Sequence, residues 1–198
     1  MTQPTLLVLA GPNGAGKTTF AYSHLKDYIS AGLFLNADET ARDMSPGNVE
    51  LAALAAGRQV LERRRHLIAA GDSFCVETTL ATRTLVQAIR QARTRGYLTR
   101  LYFLFVSSPS LCQFRVKLRV MKGGHNIPDD VVHRRHAQGL RFLSMYVAAC
   151  DDVEIFHADE TPIQVLERSG GASRIADSPR FDMLQAAIRI AGGAPIAI

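Results

Sequence analysis

Residues Gly11-Pro12-Asn13-Gly14-Ala15-Gly16-Lys17-Thr18 fit the pattern G-x-x-x-x-G-K-[ST] without a mismatch. Such a loop works only between a buried strand and a helix N-terminus, and the flanking residues suit both. Leu6-Leu7-Val8-Leu9-Ala10 is an unbroken apolar run, as expected of a strand covered on both faces. Thr19 to Tyr28 contain neither proline nor glycine and can continue as a helix. The glycines let the backbone close round an anion, and the loop and helix N–H groups point at it. Pro12, Asn13, Gly14, Ala15, Gly16, Lys17, Thr18 and Thr19 are therefore expected to cradle the phosphates of a nucleotide. Lys17 would reach the β- and γ-phosphates, and the Thr18 hydroxyl would ligate Mg²⁺. ATP and Mg²⁺ are the cofactors this loop implies.

The rest of the chain alternates apolar strands with amphipathic helices. Leu33-Phe34-Leu35-Asn36 reads as a second strand, and Asp43 to Asn48 as a loop containing Pro46-Gly47. Val49 to Ala70 has helical spacing and stops at Gly71; Ser73 to Glu77 is a third strand. Helices are expected over 83–95, 109–121 and 129–149, and strands over 98–106 and 153–156. Gln164 to Glu167 and Ser173 to Ala176 flank Gly170-Gly171 and suit a C-terminal hairpin, with a last helix over 180–190. The order βαβαβαβα predicts an α/β P-loop fold. Its sheet would be mainly parallel and five-stranded, with helices on both faces, a helical lid and a C-terminal hairpin. One domain over residues 1–198 is expected from the length.

Ligands in such a fold bind beyond the C-terminal ends of the strands. That rule picks out two segments. The second strand, expected beside the P-loop strand, runs into Asn36-Ala37-Asp38-Glu39. A carboxylate at Asp38 can take a proton from a substrate hydroxyl or hold Mg²⁺ through water. The third strand ends in Glu77-Thr78-Thr79, where Glu77 can orient a substrate and the threonine hydroxyls can meet a sugar or phosphate.

The net formal charge of +5 admits either a nucleic-acid binder or an enzyme for anionic substrates. Distribution favours the second. Arg115, Arg119 and Lys122 recur at helical spacing, Gly123-Gly124-His125 breaks the helix, and Arg134-Arg135 follow on the next one. This describes a lid over about 115–136 whose arginines meet a transferred phosphoryl group, with His125 as a further member. No aromatic residues interleave with these charges as base-stacking platforms would, so nucleic acid is not the expected partner. His133 and His136 have no thiolate or carboxylate spaced with them for a metal. Cys75, Cys112 and Cys150 are an odd, widely spaced set that reads as reduced thiols. No apolar run nears the roughly 20 residues of a membrane span, and no signal peptide is expected, so the reading is cytoplasmic.

Absences sharpen the reading. The strand ending at Val106 runs into Ser107-Ser108, without the Asp-Glu pair of a motor ATPase. No Asn-Lys-x-Asp segment for guanine occurs. Between about residues 5 and 140 the chain resembles the zeta toxin family of P-loop kinases, in a compact branch. The pieces that carry the resemblance are the P-loop, Leu35-Asn36-Ala37-Asp38-Glu39, Glu77-Thr78-Thr79-Leu80, and Arg119 through Gly123-Gly124-His125 to Arg134-Arg135. The founding members of that family phosphorylate UDP-N-acetylglucosamine. The resemblance implies that Asp38 activates a sugar hydroxyl, that Lys17, Arg119 and Arg134 act on the phosphates, and that Glu77, Thr78, Thr79 and Arg135 meet the substrate. The register of the second arginine is open between Arg134 and Arg135. A nucleotide sugar as acceptor and an antitoxin as partner are further implications. The alternatives are a small-molecule or antibiotic phosphotransferase and a non-catalytic, nucleotide-dependent RNA-binding module.

Overall fold

The apolar run that precedes the P-loop is the centre of the molecule. In the computed structural model, which describes residues 3–46 and 48–198, it forms β1 (Thr5–Ala10). Gly47, in the loop expected over 43–48, lies outside the described residues. β1 pairs in parallel with β3 (Phe74–Thr78) on one side and β4 (Leu98–Phe105) on the other. β3 pairs in turn with β2 (Phe34–Leu35), and β4 with β5 (Asp152–His157), again in parallel. The antiparallel strands β6 (Ile163–Ser169) and β7 (Ala172–Ile175) extend the same sheet beyond β5. The order is β2-β3-β1-β4-β5-β6-β7.

Two expectations are corrected here. The sheet has seven strands, because the hairpin docks on the free edge of β5 and continues the ladder. Gly170 and Gly171 both have positive φ, 58° and 81°, which a tight two-residue hairpin turn requires. The neighbour of the P-loop strand is β3, not β2. Phe74, Cys75 and Val76 are buried, as an interior parallel strand demands, whereas β2 is two residues long with Phe34 half-exposed, which suits an edge.

Helices cover both faces. On one face α4 (Val49–Ala70), α5 (Thr84–Thr94), α8 (Ser178–Ile190) and the later part of α7 (Asp129–Ala149) pack on Leu6, Val8, Phe74, Leu101 and Phe103. On the other face α1 (Lys17–His24) and α6 (Pro109–Met121) pack on Leu7, Leu9, Cys75 and Leu104. The expected helix over 19–28 breaks at Leu25 (φ −127°), and α2 (Lys26–Ser30) follows as a separate turn. α3 (Ala37–Met44) packs chiefly on α4 through Ala41, Ala52 and Ala56. Among the described residues no helix is long and apolar enough to cross a membrane. Cys75, Cys112 and Cys150 are buried free thiols, and burial pushes Cys112 and Cys150 up to about 12.

α7 places a helix over the functional edge of the sheet. Its buried side at Val132, His136, Gly139, Leu140 and Leu143 recurs at helical spacing. Val132 belongs to the core on the α1–α6 face, and Leu140 and Leu143 to the core on the other. Between them His136 Nε2 donates to the Val106 carbonyl at 2.8 Å, at the end of β4. α7 thus crosses the C-terminal rim from one face to the other. Gly139 makes the crossing possible, since a Cβ there would lie 2.7 Å from the Thr79 carbonyl oxygen. Gly139→Ala should therefore destabilise the fold by about 1–3 kcal/mol, although helix propensity alone would stabilise it by up to about 1 kcal/mol. Urea denaturation checks the sign; a rise in midpoint would show that the close approach to Thr79 does not matter.

Candidate functional site

The P-loop leaves β1 at Gly11 and delivers the chain to α1. Gly11, Gly14 and Gly16 have φ of 149°, 78° and 86°. A Cβ on Gly14 would lie 2.6 Å from the Cys112 carbonyl, so α6 packs directly behind the loop. Gly16 caps α1 without a side-chain hydrogen bond, and the first turn carries no acidic residue. The first N–H groups of α1 thus have neither an intrahelical acceptor nor a side-chain cap, the condition in which a helix N-terminus binds an anion.

One carboxylate gathers the surrounding side chains. Glu77 Oε1 lies 3.6 Å from Lys17 Nζ, with both side chains largely buried. Glu77 Oε2 accepts from the Thr18 hydroxyl at 3.3 Å and from Asn36 Nδ2 at 3.1 Å. Lys17 also donates to the Pro12 carbonyl at 3.1 Å, which folds its ammonium over the loop. β1 and β3 are neighbours with Leu9 opposite Glu77, and this register sets the carboxylate beside the P-loop.

Asn36 ties the second strand to this cluster. Its Oδ1 accepts from the backbone N–H of Asp38 at 2.9 Å and of Glu39 at 3.2 Å, capping α3, while its Nδ2 holds Glu77. The cap is Asn36; Asp38 sits in the first turn, where the helix dipole favours its charge. Asp38 is exposed. It lines both the main cleft, of about 470 Å³ and including Lys17, Thr18 and Glu77, and an adjoining recess of about 200 Å³ with Thr78, Thr79 and Arg135. Burial raises the Glu39 carboxyl above its ordinary range, and the neighbouring Glu77 charge adds to this.

The recess has a fixed floor. The Thr78 carbonyl accepts from Gly11 N–H at 3.2 Å, and the Thr78 hydroxyl accepts from Leu80 N–H at 3.1 Å. Leu80 is fully buried at φ 55°, a left-handed conformation that costs a bulky residue energy and is sustained by this bond and the core. Arg135 donates to Asn13 Oδ1 at 3.3 Å, bringing α7 onto the P-loop. Arg134 is exposed and lines neither cavity.

The basic residues of α6 divide in use. Arg115 donates to the carbonyls of Gly14 (3.4 Å) and Ala158 (2.8 Å) and to that of Asp159, bracing the P-loop against the end of β5. Arg119 and Lys122 line the main cleft, and Arg119 donates to the His125 carbonyl at 2.8 Å. Gly124 admits this fold-back, since a Cβ there would meet Arg119 Cγ. Burial lowers the pKa of His136 and leaves it a neutral core residue; His133 is exposed. Asp159 accepts from Ser107 N–H at 2.8 Å and from its hydroxyl. Burial opposes the Asp159 charge, but these bonds outweigh it and the carboxyl stays below its ordinary value.

Sequence reasoning passed over Asn36, Arg42 and the bracing role of Arg115. Asn before Ala-Asp-Glu is a helix-start signal, and it could have revealed α3 and its cap. With α3 known, Arg42 falls four residues after Asp38 on the same face, and it lines the main cleft.

The residues present suit a nucleotide and Mg²⁺. The glycine loop and the uncapped helix offer N–H groups to phosphates, and the Thr18 hydroxyl and Glu77 carboxylate offer the hard oxygen donors that Mg²⁺ takes.

Sheet order, glycine loop and rim residues together define a protein with the P-loop kinase fold. Residues 6–143 match the family model described as AAA domain, and the chain belongs to that family. A protein of Haemophilus influenzae described as uncharacterized is 28% identical over 134 residues, covering 68% of this chain and 94% of that one. Among solved structures, AvrRxo1-ORF1:-ORF2 with ATP superposes with a TM-score of 0.74 at 18% identity over 92% of this chain. This chain spans 63% of the length of that one. A structure from the PezAT chromosomal toxin–antitoxin system of Streptococcus pneumoniae gives 0.61 at 18% identity, covering 97% of this chain and 86% of that one.

Asn36→Ala removes a helix cap and one partner of Glu77, and should lower the free energy of unfolding by about 1–2 kcal/mol. Asn36→Ser keeps a capping oxygen and should recover part of the loss. Urea denaturation of the two variants beside the parent measures both; equal stability of all three would mean that the amide holds neither group.

Proposed function

We propose that the protein is an ATP-dependent, zeta-toxin-like kinase that transfers the γ-phosphoryl group to a hydroxyl of a small metabolite, most specifically a nucleotide sugar such as UDP-N-acetylglucosamine. One observation carries this reading: Asp38 lines both the cleft that contains Lys17 and Thr18 and the recess that contains Thr78, Thr79 and Arg135. A donor phosphate on the P-loop and an acceptor hydroxyl in the recess would meet at its carboxylate.

The residues then take the following roles. Backbone N–H groups from Asn13 to Thr19 receive the donor phosphates, with Lys17 on the β–γ bridge. Thr18 and, through water, Glu77 would hold Mg²⁺, which neutralises charge on the phosphates when bound. A recess of about 250 Å³ beside the loop, lined by Phe20, His24, Arg115 and Pro162, is the seat for the base. Phe20 and His24 stack there with centroids 4.2 Å apart. Asp38 accepts the acceptor's hydroxyl proton as the new O–P bond forms and the bond to the β-phosphate oxygen breaks. Arg119 from α6 and an arginine from α7 balance the charge that spreads over the transferred group. The segment 115–136 acts as the lid, and Arg135 is better placed than Arg134 to be the α7 arginine, since it already touches the P-loop. Thr78 and Thr79 orient the acceptor. The similarity in fold to the PezAT structure supports an antitoxin as a protein partner.

Asp38→Asn preserves shape but removes the base. Acceptor phosphorylation should fall by roughly 10²–10⁴-fold, while a non-hydrolysable ATP analogue with Mg²⁺ binds as before. A transfer assay on a metabolite extract, run beside calorimetry, separates the outcomes. Collapse of nucleotide affinity together with rate would make Asp38 a metal or structural residue; an unchanged rate would place the base elsewhere.

A further inference from the structure

Helix α4 carries a glycine in its interior that packing does not explain. Gly57 lies within the helix, and a Cβ added there would meet nothing within 4 Å. Glycine inside a helix costs stability relative to alanine, and here no close approach offsets that cost. Gly57 is also where α4 changes its surroundings. Beyond it, Val60, Leu67 and Ile68 pack on the larger core, Arg63 donates to the Gly32 carbonyl at 2.6 Å, and the Leu67 carbonyl accepts from the Tyr97 hydroxyl at 2.9 Å. Before it, Ala52 and Ala56 join Ala41 of α3, with Val49 beside them, in a cluster separate from the two main cores. Three methyl groups bury little apolar area, so this contact is weak. Leu51 and Leu54, the larger apolar residues of the stretch, are 79% and 70% exposed. Apart from the α4 ladder itself, the hydrogen bonds of 37–56 among the described residues run within the stretch and to Asn36, and no ion pair holds it. α3 and the first two turns of α4 thus form a unit joined to the body at two points, Asn36 and Gly57. Units with few buried apolar contacts open at low free energy, and a hinge needs a residue that tolerates the backbone change, as glycine does.

We propose that Gly57 is the hinge of a closing arm: α3 and residues 49–56 of α4 swing about Gly57 and Asn36 and shut the site from the α3 side once donor and acceptor are both bound. This rests on the phosphotransfer reading and adds the movement that completes its site. α3 forms one wall of the main cleft through Asp38, Glu39 and Arg42, and Leu118, Arg119 and Lys122 at the end of α6 line the same cleft. Asn36 stays on Glu77 as the pivot, so Asp38, two residues on, turns nearly in place while the far end of α3 travels most. The closed arm excludes water from the transferred group and sets the Asp38 carboxylate on the acceptor hydroxyl. Gly57 touches no substrate; it is a positioning residue that acts through Asp38. The movement is separate from that of the segment 115–136.

Gly57→Ala tests this, because two readouts should move in opposite directions. The variant should unfold at a higher urea concentration than the parent, since alanine favours the helix and its Cβ meets nothing. Its initial rate of transfer from ATP to a metabolite extract should nevertheless fall by roughly 10- to 100-fold, and raising the amount of extract should not restore it. Affinity for a non-hydrolysable ATP analogue should be unchanged. The movement is read by pulsed electron paramagnetic resonance between nitroxides on Leu51→Cys and Met121→Cys, both exposed positions, while the native cysteines are buried. With the analogue, Mg²⁺ and the extract, the parent's distance should shorten, and in the Gly57→Ala background it should stay at its ligand-free value. A parent distance that does not change, or a Gly57→Ala variant that closes or transfers like the parent, overturns the hinge and leaves the kinase reading standing. A lower urea midpoint for the variant does the same, by making Gly57 a packing requirement. A parent that closes but transfers no phosphoryl group from ATP removes the kinase reading while the hinge stands.

Discussion

The carboxylate of Glu77 is the point on which the site depends. It sits on an interior strand, and groups from two other segments converge on it: Lys17 and Thr18 from the start of α1, and Asn36 from the end of β2. A largely buried lysine–carboxylate pair adds little net stability, because desolvation offsets most of the attraction. Its effect is positional. Lys17 is kept folded over the loop, and Thr18 is kept facing the cleft. Through Asn36, the same carboxylate is joined to the N-terminus of the helix that carries Asp38 and Arg42. The proposed donor and acceptor half-sites are thus connected through two side chains, Glu77 and Asn36.

The rim around Glu77 is built by close approaches rather than by long loops. Gly14 lies against α6, Gly124 lets Arg119 fold back on the turn after α6, and Gly139 lets α7 pass over Thr79. Leu80 accepts an unfavourable backbone conformation so that the chain can turn beneath the recess. These are local costs that the two cores on either side of the sheet sustain. Arg115 adds a polar brace by joining the P-loop to the end of β5, so that the loop is supported from both strands beside the α6 crossover.

How far the sequence alone led depended on whether a feature was contiguous. The P-loop, its strand and the parallel strands up to Phe156 were legible because each is a local run with a clear period. Positions that arise from strand order were not. β2 was expected beside β1, yet the short edge strand yields that place to β3, whose Phe74, Cys75 and Val76 are buried, and this brings Glu77 rather than Asp38 directly alongside the loop. The hairpin was visible as two segments round Gly170-Gly171, but its docking on β5 was not, since an edge carries no local mark. α3 has no counterpart in the sequence reading, which has only a loop over 43–48 there, because its eight residues are mostly polar, with only Ala41 buried. The arginines of the basic stretch looked alike in sequence. Only the packing separates Arg115, a brace held by three backbone carbonyls, from Arg119 and Lys122 along the same cleft, and Arg135, on the P-loop, from exposed Arg134.

The central claim is that Glu77 serves the metal side of the nucleotide site while restraining Lys17. Calorimetric titration of a non-hydrolysable ATP analogue, with and without Mg²⁺, tests it through Glu77→Gln. The account predicts that the substitution removes most of the affinity gained from Mg²⁺, because an oxygen charge near the metal is gone. Metal-free binding should be unchanged or tighter, because Lys17 is released from its partner. A variant that keeps the full Mg²⁺-dependent gain, or that loses metal-free and Mg²⁺-dependent binding alike, would contradict it.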